Sequence, residues 1–78
     1  MPTVHRLGRC RIEMYAEDHP PPPVHVIHPD GKALVAIADA TIIAGRLPRH
    51  MMRDARAWIT ANRDRLRQRW DELQERDQ

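Results

Sequence analysis

Apolar and polar residues alternate with a period of two through the first half of the chain and with a period near 3.6 through the second. The alternation is cleanest over residues 10–15. Cys10, Ile12 and Met14 fall on one face of a strand, and Arg11, Glu13 and Tyr15 on the other. Residues 3–7 form a shorter run of the same kind. Gly8-Arg9 supplies a tight turn between the two, so they pair most simply as an antiparallel hairpin. A loop follows over residues 16–23. Residues 24–28 read as a third strand, and Pro29-Asp30-Gly31 is a strong turn signal, with proline early and glycine late. Residues 32–38 read as a fourth strand. Asp39-Ala40 then turns the chain into a short fifth strand over residues 41–44, ending at Gly45.

The period changes after Leu47-Pro48. Proline is tolerated in the first helical turn, where its missing N–H has no partner to lose. Met51/Met52, Ala55, Trp58/Ile59, Leu66, Trp70 and Leu73 then recur at spacings of mostly three and four, one buried stripe of a helix. Two readings compete at Asn62. It caps a second helix, as asparagine often does, or the helix continues through it, with or without a mild kink, for about 28 residues, roughly 42 Å. The stripe keeps phase across Asn62, which favours the second. The last turns, residues 72–78, are polar and expected to fray.

These elements predict an α+β fold: a small antiparallel sheet of four to five short strands, packed against a long C-terminal helix that passes Asn62 with or without a kink there. The whole chain, residues 1–78, reads as a single domain, β-rich over 1–45 and helical over 46–78. At 78 residues it buries only about 60–65% of its unfolded surface, so the core is thin, and a partner or a second copy would add burial. The single cysteine, Cys10, excludes an internal disulfide and any cysteine-only zinc site in one chain. No basic-then-apolar leader opens the sequence, and no apolar run reaches the roughly 20 residues that span a bilayer. A cytoplasmic protein is the expectation.

Charge alters this picture at one place. The formal net charge is +2, yet residues 46–69 carry eight arginines against Asp54 and Asp64. On a continuous helix Arg49, Arg53, Arg56, Arg63 and Arg67 line up within roughly 80° of arc, well away from the apolar stripe. Five aligned guanidiniums suit an acidic protein surface or phosphates. An ordinary solvated face with local pairs such as Arg67–Asp71 is the competing reading. Direct nucleic-acid binding is the weaker form of the functional reading, because the acidic tail follows, phenylalanine is absent and Tyr15 stands alone as a tyrosine.

Candidate chemistry lies in Asp18-His19-Pro20-Pro21-Pro22-Pro23-Val24-His25-Val26-Ile27-His28. The prolines fix φ and donate no backbone hydrogen bonds, so a stiff, polyproline-II-like connection is expected. His25 and His28 are three apart and diverge on a regular strand, and His19 lies beyond the prolines, so no metal site is expected. Instead His25 is expected to pair with a carboxylate or backbone group at the sheet edge, and Asp18-His19 to brace the loop. An acid–base role for His25 with Asp18 is chemically sound, but no nucleophile accompanies it. Cys10 reads as a buried core thiol. Trp58 and Trp70 read as core residues of the helix stripe.

Met1-Pro2-Thr3, Arg11-Ile12-Glu13-Met14-Tyr15, Asp18-His19-Pro20-Pro21-Pro22-Pro23-Val24-His25, Gly45-Arg46-Leu47-Pro48-Arg49, Trp58, Asn62-Arg63-Asp64-Arg65-Leu66 and Trp70 follow one another as motifs. In this order they resemble a small bacterial family, the domain of unknown function 4160. The resemblance covers nearly the whole chain. It implies no established activity, and a place in small two-gene cassettes of the toxin–antitoxin kind or on mobile elements. Two departures stand out: Pro23 occupies a position where the family usually has a histidine, and its usual extension after the second tryptophan is shortened or replaced by residues 71–78. The resulting expectation is a small non-catalytic interaction protein, monomer or homodimer, that binds a protein or nucleoprotein partner through the arginine stripe. It acts as a toxin–antitoxin-like module or as a phage inhibitor of a host defence complex, of the anti-CRISPR type. No cofactor is implied. A metal-dependent or ribonuclease-like toxin enzyme and a DNA-binding regulator are the alternatives.

Overall fold

The computed structural model describes residues 3–76. Met1 and Pro2 of the family-like start, and Asp77 and Gln78 of the polar tail, lie outside the described residues. Five strands come first: β1 (Thr3–Leu7), β2 (Cys10–Glu13), β3 (Pro23–His28), β4 (Gly31–Ala36) and β5 (Ile42–Gly45). Two helices follow, α1 (Arg49–Ala61) and α2 (Arg63–Arg76). The strands form one antiparallel sheet in the order β1-β2-β3-β4-β5, each paired with its neighbour in sequence. The fold is therefore α+β, a five-stranded meander with its helical layer on one face.

Register explains which face the helices cover. Ile12 lies opposite Val26, Val26 opposite Ala33, and Val24 opposite Val35. Directly paired residues share a face, so these residues form a continuous apolar surface. Cys10, Ile12 and Met14 are buried on it, as the alternation predicts. Met52, Ala55 and Ile59 of α1 and Leu66 and Trp70 of α2 close over it in one core. The opposite face has no helix. It carries Arg6 opposite Arg11, Glu13 opposite His25, and Ile27 opposite Lys32.

The long helical element is interrupted for one residue, at Asn62. The Asn62 N–H is shared between the carbonyls of Trp58 (3.0 Å) and Ile59 (3.2 Å), which tightens the last turn of α1. Its own carbonyl accepts the N–H of Leu66 at 3.0 Å, so hydrogen bonding passes through the break. The side chain points backward, with Nδ2 donating to the Trp58 carbonyl at 2.9 Å. Asn62 thus bends the helix and keeps the apolar stripe in phase, from Ile59 to Leu66.

Some boundaries differ from the sequence expectation. β2 ends at Glu13, where its pairing with β3 closes opposite His25. β4 ends at Ala36, where the Ala40 N–H returns to the Ala36 carbonyl (2.9 Å) and Ile37 turns inward, almost wholly buried. The proline run is divided: the Pro20–Pro21 bond is cis, the Pro22 carbonyl accepts the Ile37 N–H at 3.0 Å, and Pro23 already belongs to β3. Helix α2 continues to Arg76, and Gln74 Nε2 donates to the Ala16 carbonyl at 3.1 Å, tying its last turns to the loop. Gly45 has φ +84°, and a Cβ there would sit 2.3 Å from the Lys32 carbonyl oxygen, so only glycine fits where β5 leaves the sheet. No helix among the described residues is long and apolar enough to cross a membrane.

Candidate functional site

The five arginines of the predicted stripe separate into two sets. Arg49, Arg53 and Arg56 are exposed along the side of α1 that borders β5. Together with Ile42, Leu47 and Met52 they line a groove of about 510 Å³. Leu47 and Met52 form its buried floor, and Ile42 stands on its rim, 46% exposed. Beside it Ile43, at 48%, is the other exposed large apolar residue among those described. β5 is an edge strand, and the register shift in its pairing with β4 leaves Ile43 without a partner residue while Ile42 stays opposite Val35. Arg53 has only a loose contact with Asp54, 3.7 Å between two exposed side chains.

Arg63 and Arg67 lie beyond the bend. Arg63 is half-buried, and its Nε–H donates to the Ile37 carbonyl at 2.9 Å. That bond fastens the start of α2 to the end of β4, so this guanidinium holds the fold together. Arg67 is exposed beside Pro22, Ile37, Ala38, Trp70 and Asp71, at a separate depression.

The motif loop brings two of its three singled-out residues together. Asp18 Oδ2 lies 2.9 Å from His25 Nε2. His19 is exposed and makes no side-chain hydrogen bond among the described residues. His25 stands on the central strand of the sheet and not at its edge, because β2 and β4 flank β3. Its ring meets that of Tyr15 edge-on, centroids 4.8 Å apart. Tyr15 in turn donates a short hydrogen bond to Glu13 Oε1. Arg11 Nε donates to Glu13 Oε2 at 2.7 Å, with Thr3 Oγ1 at 3.5 Å from the same oxygen. Glu13 is only 6% exposed, the one charged residue buried among those described. The Tyr15 and Arg11 hydrogen bonds hold its carboxyl below the usual glutamate range, and the same bond to Glu13 raises the Tyr15 hydroxyl.

The other histidines point elsewhere. His5 stacks on Trp58 at 4.4 Å between ring centroids, nearly parallel, on the helical side of the sheet. His28 Nδ1 accepts the Asp30 N–H at 3.1 Å within the hairpin turn. Among the described residues no three of His, Cys, Asp and Glu converge as a metal site would require. Cys10 is buried, and burial followed by the charge of Asp54 raises its thiol above the ordinary value, which makes it a poor nucleophile.

Sequence reasoning missed the groove, because its floor and rim come from β5, the β5–α1 connection and α1. A signal was available in Ile42-Ile43, two large apolar residues on a short terminal strand. It also missed the Glu13 cluster, although Arg11, Glu13 and Tyr15 were placed on one face, since a carboxylate on an alternating strand reads as solvated.

A family model described as Domain of unknown function (DUF4160) matches residues 10–71. The matched span opens with β2 and ends in α2, and so includes the motif loop, the groove and all five arginines. No curated protein matches the chain, and no solved structure does.

Proposed function

The chain belongs to the domain of unknown function 4160 family, and from there we propose that it is a small cytoplasmic interaction protein without catalysis of its own. Its site is the groove between β5 and α1. The observation that carries this reading is the pairing of an apolar floor (Leu47, Met52, with Ile42 at the rim) with three exposed guanidiniums, Arg49, Arg53 and Arg56. Such a surface suits a protein segment with an apolar anchor flanked by carboxylates. The apolar contact supplies affinity, and the guanidiniums supply orientation and fast encounter. Arginine is suited to this role because its planar fork engages carboxylates in bidentate fashion.

The context is a toxin–antitoxin-like cassette, or a phage-borne inhibitor of a host defence complex of the anti-CRISPR type. In both, the protein occupies a surface of a protein or nucleoprotein complex. The family resemblance and the arginine groove support this reading together. Affinity capture from the native host, with mass spectrometry of what is retained, identifies the partner. The double variant R53E/R56E loses that partner, with an unchanged circular-dichroism spectrum. Retention of the same partner by the folded double variant refutes the reading.

A further inference from the structure

The helix-free face of the sheet has a charge pattern of its own. Arg6 on β1 lies opposite Arg11 on β2, Arg11 lies opposite Ile27 on β3, and Ile27 lies opposite Lys32 on β4. Three cations therefore stand in one cross-strand row. With strands about 4.8 Å apart, the row spans about 14 Å. Arg6, Arg11 and Lys32 are all exposed. Arg6 and Lys32 make no side-chain hydrogen bond or ion pair among the described residues. Arg11 is held by Nε to Glu13, which fixes its fork on this face.

The next row holds Glu13, His25 and Leu34, and the Tyr15 ring meets His25 beside it. Both carboxylates here are occupied, Glu13 by Tyr15 and Arg11, and Asp18 by His25. Asp18 engages His25 at Nε2, so in the neutral ring Nδ1 carries the lone pair. Nδ1 has no hydrogen-bond partner among the described residues, and no buried side-chain nitrogen or oxygen there is unpaired, so Nδ1 is not wholly buried, on a side chain that is 28% exposed.

We propose that this open face is a second binding site, separate from the arginine groove, and that its ligand is single-stranded RNA. The row Arg6–Arg11–Lys32 takes the phosphates. Tyr15, His25 and the half-buried Ile27 and Leu34 lie against sugars and bases, and His25 Nδ1 accepts a hydrogen bond from a 2′-hydroxyl. An uncovered sheet face carrying cations and two rings matches the chemistry by which single strands are held, backbone charges tracked and bases laid on planar side chains. A duplex does not fit it, because the grooves of double helices are entered by protruding helices or two-stranded ribbons. The 2′-hydroxyl contact distinguishes RNA from DNA.

The test uses fluorescence anisotropy with a labelled, mixed-sequence single-stranded RNA oligonucleotide, the DNA oligonucleotide of the same sequence, and the full chain at low salt. Saturable RNA binding is expected, weakening as salt rises. The double variant R6E/K32E is expected to bind at least tenfold more weakly while melting at the temperature of the parent. H25F, which keeps a ring and removes Nδ1, is expected to lose the preference for RNA over DNA. R53E/R56E is expected to bind RNA as the parent does, which separates this site from the groove. The absence of saturable binding, or RNA binding undiminished in R6E/K32E, overturns the site. Equal binding of DNA and RNA by the parent overturns the assignment to RNA.

Discussion

Glu13 is the residue on which most of the open-face chemistry converges. A carboxylate this buried is tolerable only because three side chains donate to it. Its lowered pKa has a defined consequence for stability. An unfolded glutamate titrates near 4.3. The folded protein holds the charge to lower pH, so the stabilisation is fully present above the unfolded value and is lost as pH falls through the folded one. Tyr15 has the opposite shift, so its contribution is present below an ordinary tyrosine pKa of about 10 and is lost as pH rises through the higher folded value. Glu13→Gln should therefore destabilise the protein by about 1–3 kcal/mol at pH 7. It should also flatten the acid limb of a plot of urea midpoint against pH. An acid limb as steep as that of the parent would show that Glu13 is not the titrating group. In the sequence Glu13 is one polar position in an alternating strand. Nothing local distinguishes it from Arg11 or Tyr15, and its burial comes from neighbours at positions 3, 11 and 15 once the strands are paired.

The element that departs most from its linear description is the helix. Regular helical geometry places five arginines within one narrow arc. Asn62 divides that stripe between α1 and α2, and its two halves meet different surroundings. Among the described residues Arg53 has only its loose contact with Asp54 to lose and Arg56 has none, whereas Arg63 satisfies the carbonyl where β4 ends. Replacing Arg63 by alanine should cost about 1–3 kcal/mol, because it leaves that carbonyl without its charged donor. Arg53→Ala and Arg56→Ala should each stay within about 0.5 kcal/mol, as exposed substitutions do. Chemical denaturation of the three variants distinguishes the roles; equal stabilities would remove Arg63 from the structural set. The apolar stripe, by contrast, was readable through the same bend, because a carbonyl that still accepts from Leu66 keeps the two helices in register.

For the whole molecule the deciding quantity is the thinness of the core. A chain of 78 residues is expected to be stable by about 4–12 kcal/mol. One layer of side chains between the sheet and the two helices supplies most of it. Ile59 is fully buried at the end of α1, next to the bend. Ile59→Ala should cost about 2–5 kcal/mol, a large share of that total, and lower the melting temperature steeply. A loss below 1 kcal/mol would mean that the helical layer is not held as described. The same thinness explains why two surfaces of this molecule are left uncovered. One face of the sheet is spent on the core, the other is uncovered, and β5 is too short and too bulged for α1 to cover its rim.

The sequence by itself determined the five strands, the two faces of β2, the apolar helical stripe and the α+β class, because strand and helix periods are local properties of the chain. It also determined the family, whose motifs run in order along it. It pointed to Asp18 and His25 as partners in kind, though not in place. Only the tertiary structure decided that His25 stands on a central strand with Asp18 folded onto it. Only the structure sent Arg63 to a backbone carbonyl and gathered Arg49, Arg53 and Arg56 around Ile42. Strand pairing, and the direction taken by a helix after a one-residue bend, are set by residues distant in sequence. A short window along the chain holds Asp18 and His25, seven residues apart, without fixing how the loop folds, and it does not reach from Ile37 to Arg63, 26 apart.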